Sequence, residues 1–401
     1  MEQGFVGRQP ICRAGAEVFA YELFTQNNDW NQADFVSGDT GTLDTVLNEL
    51  VDVGLDGVIG PHPAFIDVSR DFVISGRCAA LPKNAVVLQT AASEPADDVL
   101  LGALSQLSEQ GYSIALKDFR YSDSLRPMIE LADIVKLSVR KHDRQTVSQQ
   151  VEALGSCNVK LLAEEVDTRA DYEYCKKLGF DYFEGYFFCE PQISSKEPLP
   201  FNRLSTLYLL SKLQDPEISL KELEQAVGQD VAMSFRILRY LNSPIHALTR
   251  RVESIRHAIT LVGTNLIRQW ASVIWLESIE DKPRELMVMS MVRAQMCQQL
   301  GTAMGCKNLD QFFTVGLLSL LDVLLDRPLA TVLDELPLVD EVKEALLNRK
   351  GPMGSALNCI RAYERCDWDN TSCTSLDGKK IREAYLGSLS WSRTVVRELV
   401  N

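Results

Sequence analysis

Apolar positions change their period once along this chain. In the first half, short apolar runs alternate with amphipathic stretches. The runs are Val18–Leu23, Phe65–Val68, Ala85–Leu88, Ser113–Leu116, Ile134–Leu137, Lys160–Ala163 and Tyr182–Phe183. Asp98–Gln110 and Arg144–Leu154 carry apolar residues at helical spacing. Strands alternating with helices predict a parallel α/β sheet or a TIM-like (β/α) barrel. Polar residues stand at the strand ends: Glu22, Asp67, Gln89, Lys117–Asp118, Ser138, Glu164 and Glu184. In a barrel those ends converge on one mouth, where sites are built. Any strand ends near polar loop residues, but one such position per βα unit favours a shared mouth.

Glu190 to Pro200 holds three prolines and two serines and reads as a linker. Beyond it the apolar period becomes helical. Predicted helices cover Arg203–Leu213, Val231–Leu241, Ser254–Leu261, Asn265–Leu276, Glu285–Leu300, Leu309–Leu325, Val339–Leu347 and Gly378–Leu399. Ser219 with Glu222 has the spacing of a capping box. The expected division is a barrel over 1–191, a linker over 192–200 and an all-α domain over 201–401.

Charge and composition narrow the function. The 41 basic and 55 acidic side chains leave a formal charge of -14, which disfavours nucleic acid as a partner. Ten cysteines and four histidines include no CxxC, so spacing gives no support for zinc. The start Met-Glu-Gln-Gly-Phe has no signal-peptide pattern, and the scattered thiols read as reduced and cytoplasmic. Phe312–Leu325 is the most apolar run and is too short to span a bilayer, so no membrane association is expected. There is no G-x-S-x-G and no P-loop. Cys189 at a strand end reads as a buried structural thiol.

Five strings in order carry a resemblance: Tyr21-Glu22-Leu23-Phe24, Gly111-Tyr-Ser-Ile-Ala-Leu-Lys-Asp-Phe119, Asp133-Ile-Val-Lys-Leu137, Leu162-Ala-Glu-Glu-Val-Asp-Thr168 and Gly179-Phe-Asp-Tyr-Phe-Glu-Gly-Tyr-Phe-Phe188. Together they resemble the EAL domain of cyclic di-GMP phosphodiesterases, over about Phe5 to Pro191. Active members of that family hold two divalent ions on carboxylates and an asparagine, and the ions activate water. The resemblance implies that Glu22, Asp118, Lys136 and Glu164 are kept, with Asp167 replacing a glutamate. It also implies departures: Asp67 for the asparagine, Gln89 for a glutamate, Lys117 for an aspartate, Ser138 for an aspartate, Glu184 for a glutamine and Gln26 for a phosphate-gripping arginine. An ammonium at Lys117 repels a divalent ion by roughly 4 kcal/mol at about 4 Å and an effective dielectric of about 20. Lys117 is therefore expected to replace the cation, paired with Glu22, Asp118 or Glu164.

The second half resembles an HDOD domain through Phe235–Pro244, Ile255–Gly263, Trp270, Gly316-Leu-Leu-Ser319 and Glu335-Leu-Pro-Leu338. The metal-binding His-Asp doublet of HD enzymes reads here as Ser319-Leu320. His246 and His257 have no acidic partners at metal spacing. Arg236, Arg239, Arg250 and Arg251 form a modest basic cluster, read as solvated faces or, less favoured, as a site for an acidic partner. The domain order is that of the YuxH-like signalling proteins. The resemblance implies a regulator without catalytic residues, metal or cofactor, acting through a protein partner on the HDOD half. Cyclic di-GMP binding is expected to be weak or absent, and a homo-oligomer is compatible. The alternatives are a non-hydrolysing cyclic di-GMP receptor and a residual phosphodiesterase using Glu22, Asp118, Lys136 and Glu164.

Overall fold

The computed structural model describes residues 6–25, 55–191, 201–215, 217–243, 252–279, 282–373 and 376–400. Gln26, the linker 192–200, His246, Arg250 and Arg251 lie outside the described residues. The chain forms two compact units. One joins Gly4–Glu190 with the short segment Glu364–Cys366; the other is built mainly from Pro191–Tyr363 and Asp367–Asn401.

The first unit is a closed eight-stranded barrel. Its strands are β1 Val6–Arg13, β2 Val18–Thr25, β3 Ala64–Asp67, β4 Val86–Ala91, β5 Ser113–Lys117, β6 Ile134–Ser138, β7 Lys160–Glu164 and β8 Tyr182–Glu184. Strands β2 to β8 run parallel, while β1 is antiparallel to both β2 and β8. The strand β1 is absent from the sequence reading because Pro10 and two arginines obscure its pattern. A tight turn returns the chain into β2: the Arg13 N–H donates to Glu17 O at 2.8 Å, with Ala16 at φ 61°.

The pleat places two layers inside the barrel. Ile11, Ala20, Phe65, Val87, Ala115, Ile134 and Leu162 form a buried apolar cluster, with Tyr182 packed against it. Side chains of one strand face the same way every second residue. Two positions further along β2 to β8 stand Glu22, Asp67, Gln89, Lys117, Lys136, Glu164 and Glu184. A polar layer is thus stacked directly on the apolar one at the C-terminal ends of the parallel strands.

The other unit is helical. Ser219 and Glu222 form the predicted capping box on the helix Leu220–Gly228. The long helix Arg284–Ala303 packs against Leu309–Leu318 and Gly378–Val395. Two helix predictions need correction. The expected single helix Leu309–Leu325 breaks into Leu309–Leu318 and Leu321–Leu325, where the Ser319 hydroxyl donates to Gly316 O at 2.7 Å. The helix Gly351–Glu364 is missing from the prediction, because Gly351, Pro352 and Gly354 read as breakers. Gly354 is used for close approach: a Cβ there would lie 2.2 Å from the Arg349 carbonyl carbon. Among the described residues, no helix is long and apolar enough to cross a membrane. Cys189 is half-buried rather than buried.

Gly185 ends β8 at φ 144°, and a Cβ there would lie 2.1 Å from Val166 O. Gly179 also has positive φ, 90°, but open space around it. Gly185→Ala is expected to destabilise the barrel by about 2 kcal/mol or more, against about 1 kcal/mol for Gly179→Ala. Urea unfolding followed by circular dichroism measures both, and equal costs would contradict this packing.

Candidate functional site

The polar layer is a connected set of ion pairs with Lys136 at its centre. Lys136 is wholly buried. Its Nζ lies 2.5 Å from Glu22 Oε2, 3.0 Å from Glu164 Oε1 and 3.1 Å from Glu184 Oε2. It also donates to Gln89 Oε1 at 2.7 Å. The Gln89 amide then donates to Glu22 Oε1 at 2.8 Å and to Asp67 Oδ1 at 3.1 Å. Lys117 Nζ closes the series on Asp67 Oδ2 at 2.5 Å.

This geometry corrects one expectation. Lys117 pairs with Asp67, not with Glu22, Asp118 or Glu164. The ammonium among the three glutamates is Lys136. The register explains the difference: Asp67 on β3 is opposite Gln89 on β4, and Lys117 on β5 reaches across that short glutamine.

The remaining candidates stand apart from the glutamates. Asp118 adopts φ 49° and is held by Lys141 Nζ at 2.8 Å. Asp167 is held by Arg140 at 3.1 Å. The Ser138 hydroxyl donates to Glu165 and accepts from the Lys141 N–H at 3.0 Å. Glu165, Arg140 and Lys141 are site residues that the sequence reading missed. Glu165 directly follows a kept glutamate, and that adjacency was its only signal. A fourth missed contributor lies far along the chain. Within the barrel unit, the buried Tyr186 hydroxyl donates to Glu364 O, and the Arg365 guanidinium lies 5.4 Å from the Tyr186 ring centre. The Cys366 thiol is pushed up by burial and then by the charges of Glu22 and Glu184.

Burial and pairing divide the carboxyl groups. Burial raises Glu22, but Lys136 and hydrogen bonds from Glu184, Lys136 and Gln89 outweigh it and hold Glu22 down at about 2. Glu184 is raised well above the usual range by burial and by the neighbouring Glu22 charge. Its Oε2 is near Lys136 without hydrogen-bond geometry. Burial also raises Glu164 and Asp67, against the pull of Lys136 and Lys117 respectively. For Lys136 burial acts downward, yet Glu164, Glu184 and Glu22 hold it well above the usual lysine value. Within the cluster, Glu22 is thus shifted towards its ionised form and Glu184 towards its protonated form, while Lys136 is shifted towards its charged form.

A hard divalent ion needs free carboxylate or carbonyl oxygens around one point. Glu22, Glu164 and Glu184 bring one oxygen each to within 4.8 Å of one another, a donor set for a single ion. Lys136 Nζ stands at all three of these carboxylates. The next position offers the Gln89 N–H groups and an Asp67 already paired with Lys117. As arranged, these residues do not fit a pair of divalent ions.

In the helical unit, Ser319 accepts from Arg293 Nη1 at 3.1 Å. Arg236 pairs with Glu277 at 3.2 Å, and Arg239 donates to Glu398 O at 3.0 Å. Their part of the basic cluster is thus engaged within the unit. His257 begins the helix Ile255–Val262, where its N–H is capped by the Ser254 hydroxyl.

Comparison with known proteins agrees with both halves. Residues 70–191 match the EAL domain family and residues 199–326 the HDOD domain family. The chain is 30% identical over 404 residues to the cyclic di-GMP phosphodiesterase CdgJ of Vibrio cholerae, covering 98% of this chain and 93% of that protein. It is 29% identical over 403 residues to the uncharacterized protein YuxH of Bacillus subtilis, covering 98% of each. An EAL domain protein of Listeria monocytogenes is similar in structure over 51% of this chain and 92% of its own, at 18% identity and a TM-score of 0.34.

Removing Lys136 leaves buried carboxylates without a cation. Lys136→Met is expected to destabilise the barrel at pH 7 by about 3–5 kcal/mol. Glu22 carries the pH dependence. Its folded value is depressed, so its contribution is present above the unfolded value of 4.5 and is lost as pH falls towards 2. Glu22→Gln is therefore expected to be less stable than the parent at pH 7 and to approach it below about pH 3. Denaturation at pH 7, 4.5 and 3 measures both effects.

Proposed function

The chain belongs to the family of proteins that couple an EAL domain to an HDOD domain, and on that premise we propose that it is a cyclic di-GMP-network regulator that does not hydrolyse the dinucleotide. It acts instead by contact of its HDOD half with a protein partner. The observation that carries this reading is the Lys117–Asp67 ion pair beside the uncharged Gln89, at three positions where the resemblance implies an aspartate, an asparagine and a glutamate. Phosphodiester cleavage at this mouth would need two ions to neutralise the phosphate and to activate water. A partner surface is supported by Val231 and Phe235, 81% and 62% exposed and one turn apart on the helix Val231–Leu241. Exposed apolar pairs of this kind suit docking to an apolar stripe on another protein.

A second reading is a residual phosphodiesterase. It is favoured by the named activity of CdgJ and by the converging oxygens of Glu22, Glu164 and Glu184. For one ion to bind there, Lys136 would have to leave their centre.

Turnover of cyclic di-GMP by the full chain separates the two. No cleavage is expected with Mg²⁺ or Mn²⁺, and calorimetric titration of the dinucleotide is expected to give no heat in Ca²⁺ or in EDTA. Cleavage that disappears in Glu22→Ala would establish the second reading and sink the first. Calorimetric binding without cleavage would make the protein a receptor. The combined change Lys117→Asp, Gln89→Glu and Ser138→Asp is expected to create Mg²⁺ affinity that the parent lacks, read by the same calorimetry.

A further inference from the structure

The helical unit holds a cavity of about 100 Å³ that the reading above does not use. It lies between the helix Thr264–Glu277, the helix Leu309–Leu318 and the Pro337–Val342 segment. Arg268 stands in its wall. Among the described residues, Arg268 makes no hydrogen bond or ion pair, and its Nε is buried without an acceptor. Arg268 is half-buried, so the cost falls on its Nε, which lacks the acceptor that buried N–H groups ordinarily find. Burial lowers its basicity, and the charges of Asp310 and Asp215 only partly oppose this.

The rest of the wall indicates what would satisfy it. Gln214 and Ser272 add polar groups, joined by a long hydrogen bond of 3.3 Å. Phe313 and Leu338 form an apolar side. A planar fork of N–H donors matches a carboxylate in a two-point contact. Asp310 on the same wall disfavours a doubly charged anion such as phosphate. The size admits only a small molecule; larger drug-type sites run to about 300–1,000 Å³.

We propose that this cavity is a binding site for a small organic monocarboxylate. Its carboxylate sits on Arg268 and its apolar body lies against Phe313 and Leu338. The site is separate from the barrel and does not depend on whether the barrel binds or cleaves a dinucleotide.

The test uses the full chain with isovalerate, benzoate and inorganic phosphate as probes, read by saturation-transfer NMR and by thermal shift. Saturable binding of isovalerate or benzoate is expected, with phosphate binding at least tenfold more weakly. Arg268→Gln is expected to weaken the carboxylate at least tenfold. Leu338→Trp fills the apolar side while keeping the arginine, so it is expected to abolish binding even if Arg268→Gln fails to fold. The proposal is overturned if neither carboxylate binds the parent chain, if phosphate binds as well as they do, or if binding survives in a folded Arg268→Gln or Leu338→Trp.

Discussion

Everything at the barrel mouth depends on one buried ammonium. Lys136 is held among three glutamates and a glutamine with no exposure to solvent. A charge in that position persists only because opposite charges and acceptors surround it. The same ammonium holds Glu22 down, while burial and the Glu22 charge raise Glu184. Gln89 carries the arrangement outward, since it accepts from Lys136 and donates to both Glu22 and Asp67. Lys117 then closes the outer edge on Asp67. Each member is held in place by its neighbours.

Much of this was legible in the residues. All seven predicted strands are present, each within three residues of its expected start and end, and the polar strand ends do converge. The polar residues at strand ends are a local signal, so Glu22, Asp67, Gln89, Glu164 and Glu184 could be placed at one mouth from sequence, while Lys136 entered only through the family resemblance. What could not be read was pairing across the barrel. Lys117 was expected on Glu22, Asp118 or Glu164, and it reaches Asp67 because the strand order puts only one short glutamine between them. The strand Val6–Arg13 escaped because its role is tertiary. It closes the barrel between β2 and β8, and its own residues carry little β-signal.

The helical half shows the reverse weighting. Caps such as Ser219 and Glu222 were readable because their chemistry lies within four residues. Glycines misled, because Gly354 serves packing against Arg349 rather than ending a helix. Arg268 carried no sequence signal at all. Its lack of a partner is defined by three segments that meet only after folding.

The short segment Glu364–Cys366 belongs with the barrel although it follows Glu190 by most of the helical half. That makes the barrel discontinuous in time as well as in sequence. At a synthesis rate of roughly 5–20 residues per second, the carbonyl that receives the Tyr186 hydroxyl emerges on the order of tens of seconds after β8. Until then the Tyr186 hydroxyl lacks the acceptor it has in the folded chain. A chain cut after Glu190 would lack the Glu364 carbonyl that receives the Tyr186 hydroxyl, so the first unit draws one of its buried contacts from the far end of the sequence.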